Sequence, residues 1–215
     1  MLLNEIFLSI QGEGINSGLP TVFIRTQLCN LKCKWCDTKY ALGEGGKEMS
    51  IEEIVKEVGK YDCKEVYITG GEPLVQEEEL SKLVTELCLK DYKIRIATNG
   101  SILPTRPKLW ASSAGWDIDI KCPSSGEAGK SEELWFYELD AQIKFVVQDQ
   151  EDLRFTKEIL DRHKASQVGK WISPVTDGVN IERKWLQEVA EFCIKENVRY
   201  SLQLHKILWG NRKGV

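Results

Sequence analysis

No stretch of about 18 consecutive apolar residues occurs in this sequence, so hydropathy marks no membrane-spanning helix. The opening residues, Met1-Leu2-Leu3-Asn4-Glu5, lack a basic segment followed by an apolar one and do not read as a signal peptide. A large charge of either sign is also missing: the net charge is −4, too weak a field to hold a nucleic-acid backbone. Internal repeats and low-complexity linkers are absent, and 215 residues suit one sizeable core, so residues 1–215 are expected to form a single domain. The seven cysteines are an odd number with three crowded together, which argues against a secreted disulfide framework and for a reducing cytoplasm.

What is present is concentrated in Cys29-Asn30-Leu31-Lys32-Cys33-Lys34-Trp35-Cys36. The spacing C-x3-C-x2-C puts three thiols on one loop. A closed structural zinc site wants four protein ligands, and no histidine or second cysteine pair lies nearby. A zinc knuckle would need a distant fourth ligand such as Cys63. A four-iron cluster is usually held by four cysteines; with three, one iron stays open to a small molecule. Three ordinary buried thiols are the plainest alternative. Cys88 and Cys193 stand in apolar helical stretches and read as small core residues; Cys63 and Cys122 carry no clear assignment.

Residues 3–8 and 21–26 read as strands, with turn chemistry between them at Gln11-Gly12-Glu13-Gly14, Asn16, Gly18 and Pro20. Ser50-Ile51-Glu52-Glu53 is a capping box, and Ile51, Ile54, Val55 and Val58 follow at helical spacing. Strands at 66–68, 94–97, 116–121, 142–147, 170–173 and 198–204 then alternate with helices at 77–90, 151–164 and 182–197. Leu80, Leu83, Val84 and Leu87 share one face of the first of these helices, and Pro104 and Pro107 break the chain after 97. This order predicts an α/β fold with a parallel sheet and helical crossovers. About six units are too few for a closed eightfold barrel, so a partial, open parallel β/α barrel is expected. Chemistry in such barrels sits at the C-terminal strand ends. Every unusual motif lands there: the cysteine loop, Thr69-Gly70-Gly71-Glu72-Pro73, Thr98-Asn99-Gly100, Lys121-Cys122-Pro123-Ser124-Ser125-Gly126 and Ser173-Pro174-Val175.

The cysteine loop, with an aromatic before its last cysteine and Gly70-Gly71-Glu72-Pro73 one strand later, resembles the radical S-adenosylmethionine enzymes. Phe7-Leu8-Ser9-Ile10-Gln11-Gly12-Glu13-Gly14, Phe23-Ile24-Arg25, Cys36-Asp37-Thr38 and Leu202-Gln203-Leu204-His205-Lys206 narrow the resemblance. Nearly the whole chain, in order, is similar to the 7-carboxy-7-deazaguanine synthases. The resemblance implies a [4Fe–4S] cluster on Cys29, Cys33 and Cys36, with S-adenosylmethionine on the open iron. Together these remove hydrogen from an unactivated C–H bond. It implies the ring contraction of 6-carboxy-5,6,7,8-tetrahydropterin to 7-carboxy-7-deazaguanine with loss of ammonia, a lyase step toward queuosine or archaeosine in tRNA. It places Trp35, Asp37, Gly71, Asp119, Ile120 and Lys121 at S-adenosylmethionine. Gln11, Gly12, Glu13, Arg25 and Thr69 fall at the substrate, and Thr38 at Mg²⁺. No acid–base catalyst is singled out. An external one-electron donor such as a flavodoxin or ferredoxin and a homodimer are further implications, and neither nucleic acid nor membrane is expected as a partner.

The residue types suit a pterin. Gln11 can donate and accept, Glu13 can accept from amino and ring N–H groups, and Arg25 can grip a carboxylate with a fork of two N–H groups. A lone hydroxyl at Thr38 is a poor ligand, so substrate and water must complete a Mg²⁺ shell. Two positions depart from the family pattern: Ala97 replaces an acid before Thr98-Asn99-Gly100, and Asp119-Ile120-Lys121 stands where Ser-Pro-Lys is common. His205 reads as a structural histidine, with a place in the pocket lining as the alternative, and His163 as a solvated one. Two readings compete: another small radical enzyme, such as a glycyl-radical activase, and a non-catalytic zinc- or RNA-binding module. Iron content and colour of anaerobically purified protein separate them.

Overall fold

In the computed structural model, which describes residues 1–111, 114–131, 140–163, 168–176, 182–210 and 212–215, one continuous sheet carries the molecule. Its strands are β1 (Leu2–Ile10), β2 (Pro20–Thr26), β3 (Lys47–Glu48), β4 (Glu65–Gly70), β5 (Lys93–Thr98), β6 (Gly115–Ile120), β7 (Ala141–Val147), β8 (Gly169–Pro174) and β9 (Arg199–Tyr200). They lie in the order β3-β1-β2-β4-β5-β6-β7-β8-β9. From β2 to β9 every pairing is parallel, whereas β1 runs antiparallel to both β2 and β3. The helices are α1 (Ile51–Val58), α2 (Glu77–Cys88), α3 (Pro107–Ala111), α4 (Gln150–Arg162), α5 (Arg183–Glu196) and α6 (Leu204–Trp209). The sheet is an open parallel β/α barrel, as expected, with seven parallel strands rather than about six. No described helix is long and apolar enough to cross a membrane.

Local chemistry sets these elements. Ser50 and Glu53 close their capping box on α1 with bonds of 3.2 and 2.8 Å. Leu80, Leu83, Val84 and Leu87 of α2 are all buried. Pro107 begins a helix rather than breaking one, because its missing N–H costs nothing in the first turn. The expected strand at 198–204 is shorter: only Arg199 and Tyr200 pair with β8. Leu204 N–H then donates to the Gly12 carbonyl at 3.0 Å, and the chain turns into α6. The end of the expected helix at 151–164 and the whole of residues 177–181 fall outside the described residues.

The period of two along each strand decides what faces the site. Val66, Ile68, Ile94, Ile96, Trp116, Ile118, Ile143 and Phe145 form one apolar face under the helices. Alternate positions turn inward and are mostly polar. Arg25 stands beside Thr69, Tyr67 beside Arg95, Ala97 beside Asp117, and Asp119 beside Lys144. Ile120 is one residue out of phase with Asp119 and is 2% exposed in the core.

Candidate active site

The inward residues and the strand-end loops enclose a cavity of about 280 Å³. Cys29, Cys33 and Cys36, with Trp35, Asp37, Thr38, Gly71, Asp119 and Lys121, line it together with Gln11, Gly12, Glu13, Arg25 and Thr69. Of the site residues anticipated from the sequence only Ile120 is absent; its side chain points into the opposite, apolar layer. The chain end, Arg212 to Val215, also lines the cavity.

The cysteine loop leaves β2 through Leu28, whose φ of 75° is unusual for a bulky residue. The Gly-Gly-Glu motif explains how the bend is held. Glu72 N–H donates to the Leu28 carbonyl at 2.8 Å, and Gly71 N–H to that of Thr26 at 3.1 Å. A Cβ on Gly71 would stand 2.0 Å from the Leu28 oxygen, and one on Gly70 (φ 130°) 2.3 Å from Thr26 backbone atoms. These glycines are required by the approach of β4 to the loop, before any ligand is considered. Glu72 is fully buried and accepts from the amides of Leu74 and Asn99 at 3.1 and 2.7 Å. Asn99 in turn donates to Asn30 at 3.0 Å, tying the end of β5 to the loop.

All three thiols are free and half-buried. Burial pushes each of them up, Cys33 to about 11. Without metal they are therefore protonated at neutral pH, and any metal must displace those protons. Leu31 N–H points at the Cys29 sulfur at 3.4 Å. Among the described residues no three His, Cys, Asp or Glu side chains converge on a point fit for a single metal ion. Three half-buried thiols facing one cavity suit a multi-iron cluster, in which each cysteine takes a different iron. Cys63 is elsewhere, its thiol on the Pro20 carbonyl at 3.2 Å.

A chain of alternating charges crosses the opposite wall. Lys144 Nζ lies 2.6 Å from Glu13 and 3.4 Å from Asp119, and Lys121 Nζ lies 3.1 Å from the same Asp119 oxygen. Burial alone would raise Glu13, but Lys144, His205 and Gln203 bring it below its ordinary value. Burial likewise opposes the charge on Lys144, and Glu13 and Asp119 overcome it and raise the group. Both are ionised at neutral pH. The second Asp119 oxygen is buried without a hydrogen-bond partner among the described residues, and Asp119 lines the cavity, an acceptor that suits a hydroxyl or ammonium donor of a cofactor. Lys121 also stands 5.6 Å from the centre of the Trp35 ring.

Arg25 is sandwiched between Phe7 and Tyr40, 5.7 and 5.9 Å from their ring centres, and its Nε donates to Glu5 at 2.7 Å. Glu5 also accepts from the Tyr40 hydroxyl at 3.1 Å. The terminal guanidinium nitrogens have no hydrogen-bond partner among the described residues, so the fork remains available. Asp37 pairs with Lys206 of α6 at 3.2 Å and accepts from the Thr38 hydroxyl at 2.8 Å. Burial works against its charge; Lys206 and Thr38 hold it well below the usual carboxylate range. A Cβ on Gly12 would meet His205 Nδ1 at 2.2 Å, so that glycine lets α6 close on the site. Lys144, Gln203, Lys206, Glu5 and Tyr40 were not anticipated. Lys144 could have been found, since it is in phase with the inward row of β7. Gln203 and Lys206 lie in the motif around His205.

The Radical SAM superfamily profile matches residues 23–118. The 7-carboxy-7-deazaguanine synthase of Koribacter versatilis is 37% identical over 100% of both chains. That of Methanospirillum hungatei is 36% identical over 97% of this chain and 85% of its own. The crystal structure of QueE from Escherichia coli superposes with a TM-score of 0.77 at 25% identity, covering 95% of this chain and 94% of that one. Taken with the three thiols at the barrel mouth, these likenesses show that the chain belongs to the 7-carboxy-7-deazaguanine synthase family of the radical S-adenosylmethionine superfamily.

Proposed function

We propose that the chain contracts the ring of 6-carboxy-5,6,7,8-tetrahydropterin to 7-carboxy-7-deazaguanine, releasing ammonia, in 7-deazapurine biosynthesis. The observation that supports this most is the convergence of three cluster-type thiols and a substrate-sized set of polar groups on one cavity. Bound at Cys29, Cys33 and Cys36, a [4Fe–4S] cluster with S-adenosylmethionine supplies the hydrogen-abstracting chemistry. The remaining work belongs to the chain's own side chains. Arg25, held by Glu5, Phe7 and Tyr40, offers two parallel N–H groups to the substrate carboxylate. Glu13, ionised by Lys144, accepts from amino and ring N–H groups, with Gln11 and Thr69 alongside. Asp119, Asp37, Trp35 and Lys121 face the cofactor side. The Thr38 hydroxyl is offered to a Mg²⁺ whose remaining ligands are substrate and water.

This reading calls for an external one-electron donor of the flavodoxin or ferredoxin kind, and we adopt a cytoplasmic homodimer with it. The test is anaerobic incubation of the reconstituted protein with S-adenosylmethionine, a reductant and the carboxytetrahydropterin, followed by mass analysis. The expected result is 7-carboxy-7-deazaguanine and one ammonia per turnover. Cleavage of S-adenosylmethionine that substrate leaves unchanged, with no deazapurine formed, would overturn the substrate assignment.

A further inference from the structure

The motif Pro123-Ser124-Ser125-Gly126 ends β6 with a turn that no role above has absorbed, and Asp152, outside every motif, stands behind it. Asp152 lies in the first turn of α4 and is fully buried. One of its oxygens accepts from Ser124 N–H at 2.9 Å. The other accepts from the Ser124 hydroxyl at 2.6 Å and from Gln148 N–H at 2.7 Å. Ser124 has one hydroxyl proton, and Asp152 takes it. The free lone pairs of Ser124 then face the Trp35 indole N–H, which can only donate and does so at 3.0 Å. The direction of the chain Trp35 to Ser124 to Asp152 is thus fixed by donor chemistry.

The same turn holds the cysteine loop on both sides of Cys33. Lys34 N–H donates to the Ser125 carbonyl at 2.9 Å, and Lys32 N–H to Glu127 Oε1 at 2.7 Å. The turn is itself tied by Ser125, whose hydroxyl donates to the Cys122 carbonyl at 2.7 Å and accepts from Glu127 N–H at 3.0 Å. A Cβ on Gly126 would stand 3.2 Å from Lys34 Cε, so the loop lies directly against it.

We infer that Asp152 is a positioning residue which, through Ser124, fixes the Trp35 indole for the bound sulfonium cofactor. The inference rests on the reading of this loop as the cofactor loop. α4 thereby sets the plane of an aromatic wall through Ser124, and a substitution in this helix changes cofactor affinity.

The experiment is a double-mutant cycle read as S-adenosylmethionine affinity per loaded cluster, by equilibrium binding rather than turnover. Ser124→Ala, Asp152→Asn and Trp35→Phe, each of which breaks one link, should weaken binding about three- to tenfold. On the Trp35→Phe background the other two substitutions should add almost nothing, because the link is already cut. Ser124→Thr, which keeps the hydroxyl, should restore affinity. If Asp152→Asn does not fold, the Ser124 and Trp35 pair decides alone. Additive losses, or unchanged affinity in Ser124→Ala, would overturn the inference while leaving the cofactor reading intact. A wild-type protein with a full cluster and no measurable affinity would overturn both.

Discussion

The two walls of the cavity are built from the same residue types and held in opposite ways. On the cysteine side, two buried carboxylates are answered by amides and hydroxyls alone, Glu72 by the amides of Leu74 and Asn99 and Asp152 by Ser124 and Gln148, and Glu127 adds Lys130 to the amide of Lys32. Elsewhere around the cavity carboxylates are answered by cations: Glu5 by Arg25, Glu13 and Asp119 by Lys144 and Lys121, and Asp37, next to Cys36, by Lys206. An amide bond to a carboxylate fixes backbone, and so fixes where a thiol sits. An ion pair fixes only the ends of long side chains, which can regroup around a polar ligand. The first arrangement suits a rigid inorganic cofactor and the second an exchanging organic one.

Breaking the cysteine wall at its thiols should give the largest effect. Cys29→Ala, Cys33→Ala or Cys36→Ala should each abolish the cluster, since two thiolates do not hold it. Iron per chain in Cys63→Ala, Cys88→Ala and Cys193→Ala should stay near wild type. Loss of iron in Cys63→Ala with retention in Cys29→Ala would reassign the ligands.

Next comes the charged wall. Lys144→Met removes the cation that Glu13 and Asp119 share, leaving Lys121 to Asp119 and Gln203 to Glu13, and should cost ~3 kcal/mol of stability, the low end for a broken buried pair. Ser124→Ala on the amide-braced wall removes a hydrogen bond to a carboxylate but no cation, and should cost ~1.5 kcal/mol, the low end for such a bond. Urea unfolding of the metal-free proteins measures both. Equal losses would erase the contrast between the walls.

The sequence carried the cysteine wall better than the charged one, for a physical reason. Spacing along one loop is local, so Cys29, Cys33 and Cys36 announce themselves, as do the glycines that permit close approach. The strands were legible from β-branched runs, and their order from the alternation with helices. Charge pairing is non-local: Glu13 and Lys144 are joined across 131 residues. Only the register of β6 against β7 puts Lys144 beside Asp119. Ile120 was included because three consecutive residues were carried over from a motif, although a strand turns its middle residue to the other face. The strand expected at 198–204 failed where Leu204 bonds to Gly12, a contact invisible before the fold exists.

Arg25 sharpens the comparison within the charged wall, because its Nε is engaged and its fork is not. Arg25→Lys keeps the charge and loses the fork, and should weaken substrate binding about ten- to a hundredfold, as for a charged hydrogen bond of ~1.5 to 3 kcal/mol. Arg25→Ala should do more, and should discriminate far less against a pterin lacking the 6-carboxylate. Full discrimination by the mutant would make Arg25 a structural partner of Glu5. A smaller effect is expected at Thr38, which lines the cavity beside Asp37. Thr38→Ala should raise the Mg²⁺ concentration needed for turnover and leave iron content unchanged. An unaltered Mg²⁺ dependence would remove Thr38 from the metal shell.

The smallest expected effect is a slope rather than a step. The folded protein holds Glu13 below its ordinary value of 4.5, burial being outweighed by Lys144. A carboxyl depressed on folding contributes stability that is complete above its unfolded value. That stability is lost as pH falls through the folded one, where native Glu13 takes up its proton. Lys144 is raised, so it stays charged throughout this window and its own titration does not enter. His205 also faces Glu13 and burial lowers it from its ordinary 6.5, so its titration adds a slope to the difference between wild type and Glu13→Gln below about pH 6.5; the loss that belongs to Glu13 itself should appear below about pH 4.5, where that difference should shrink. Asp37 is depressed as well and sharpens the acid limb of both proteins alike, so it cancels in the difference. Urea midpoints of the metal-free proteins across this range provide the measurement. A Glu13→Gln curve parallel to wild type throughout would mean that Lys144 does not stabilise the ionised form of Glu13, and the charged wall would then be held as the other one is.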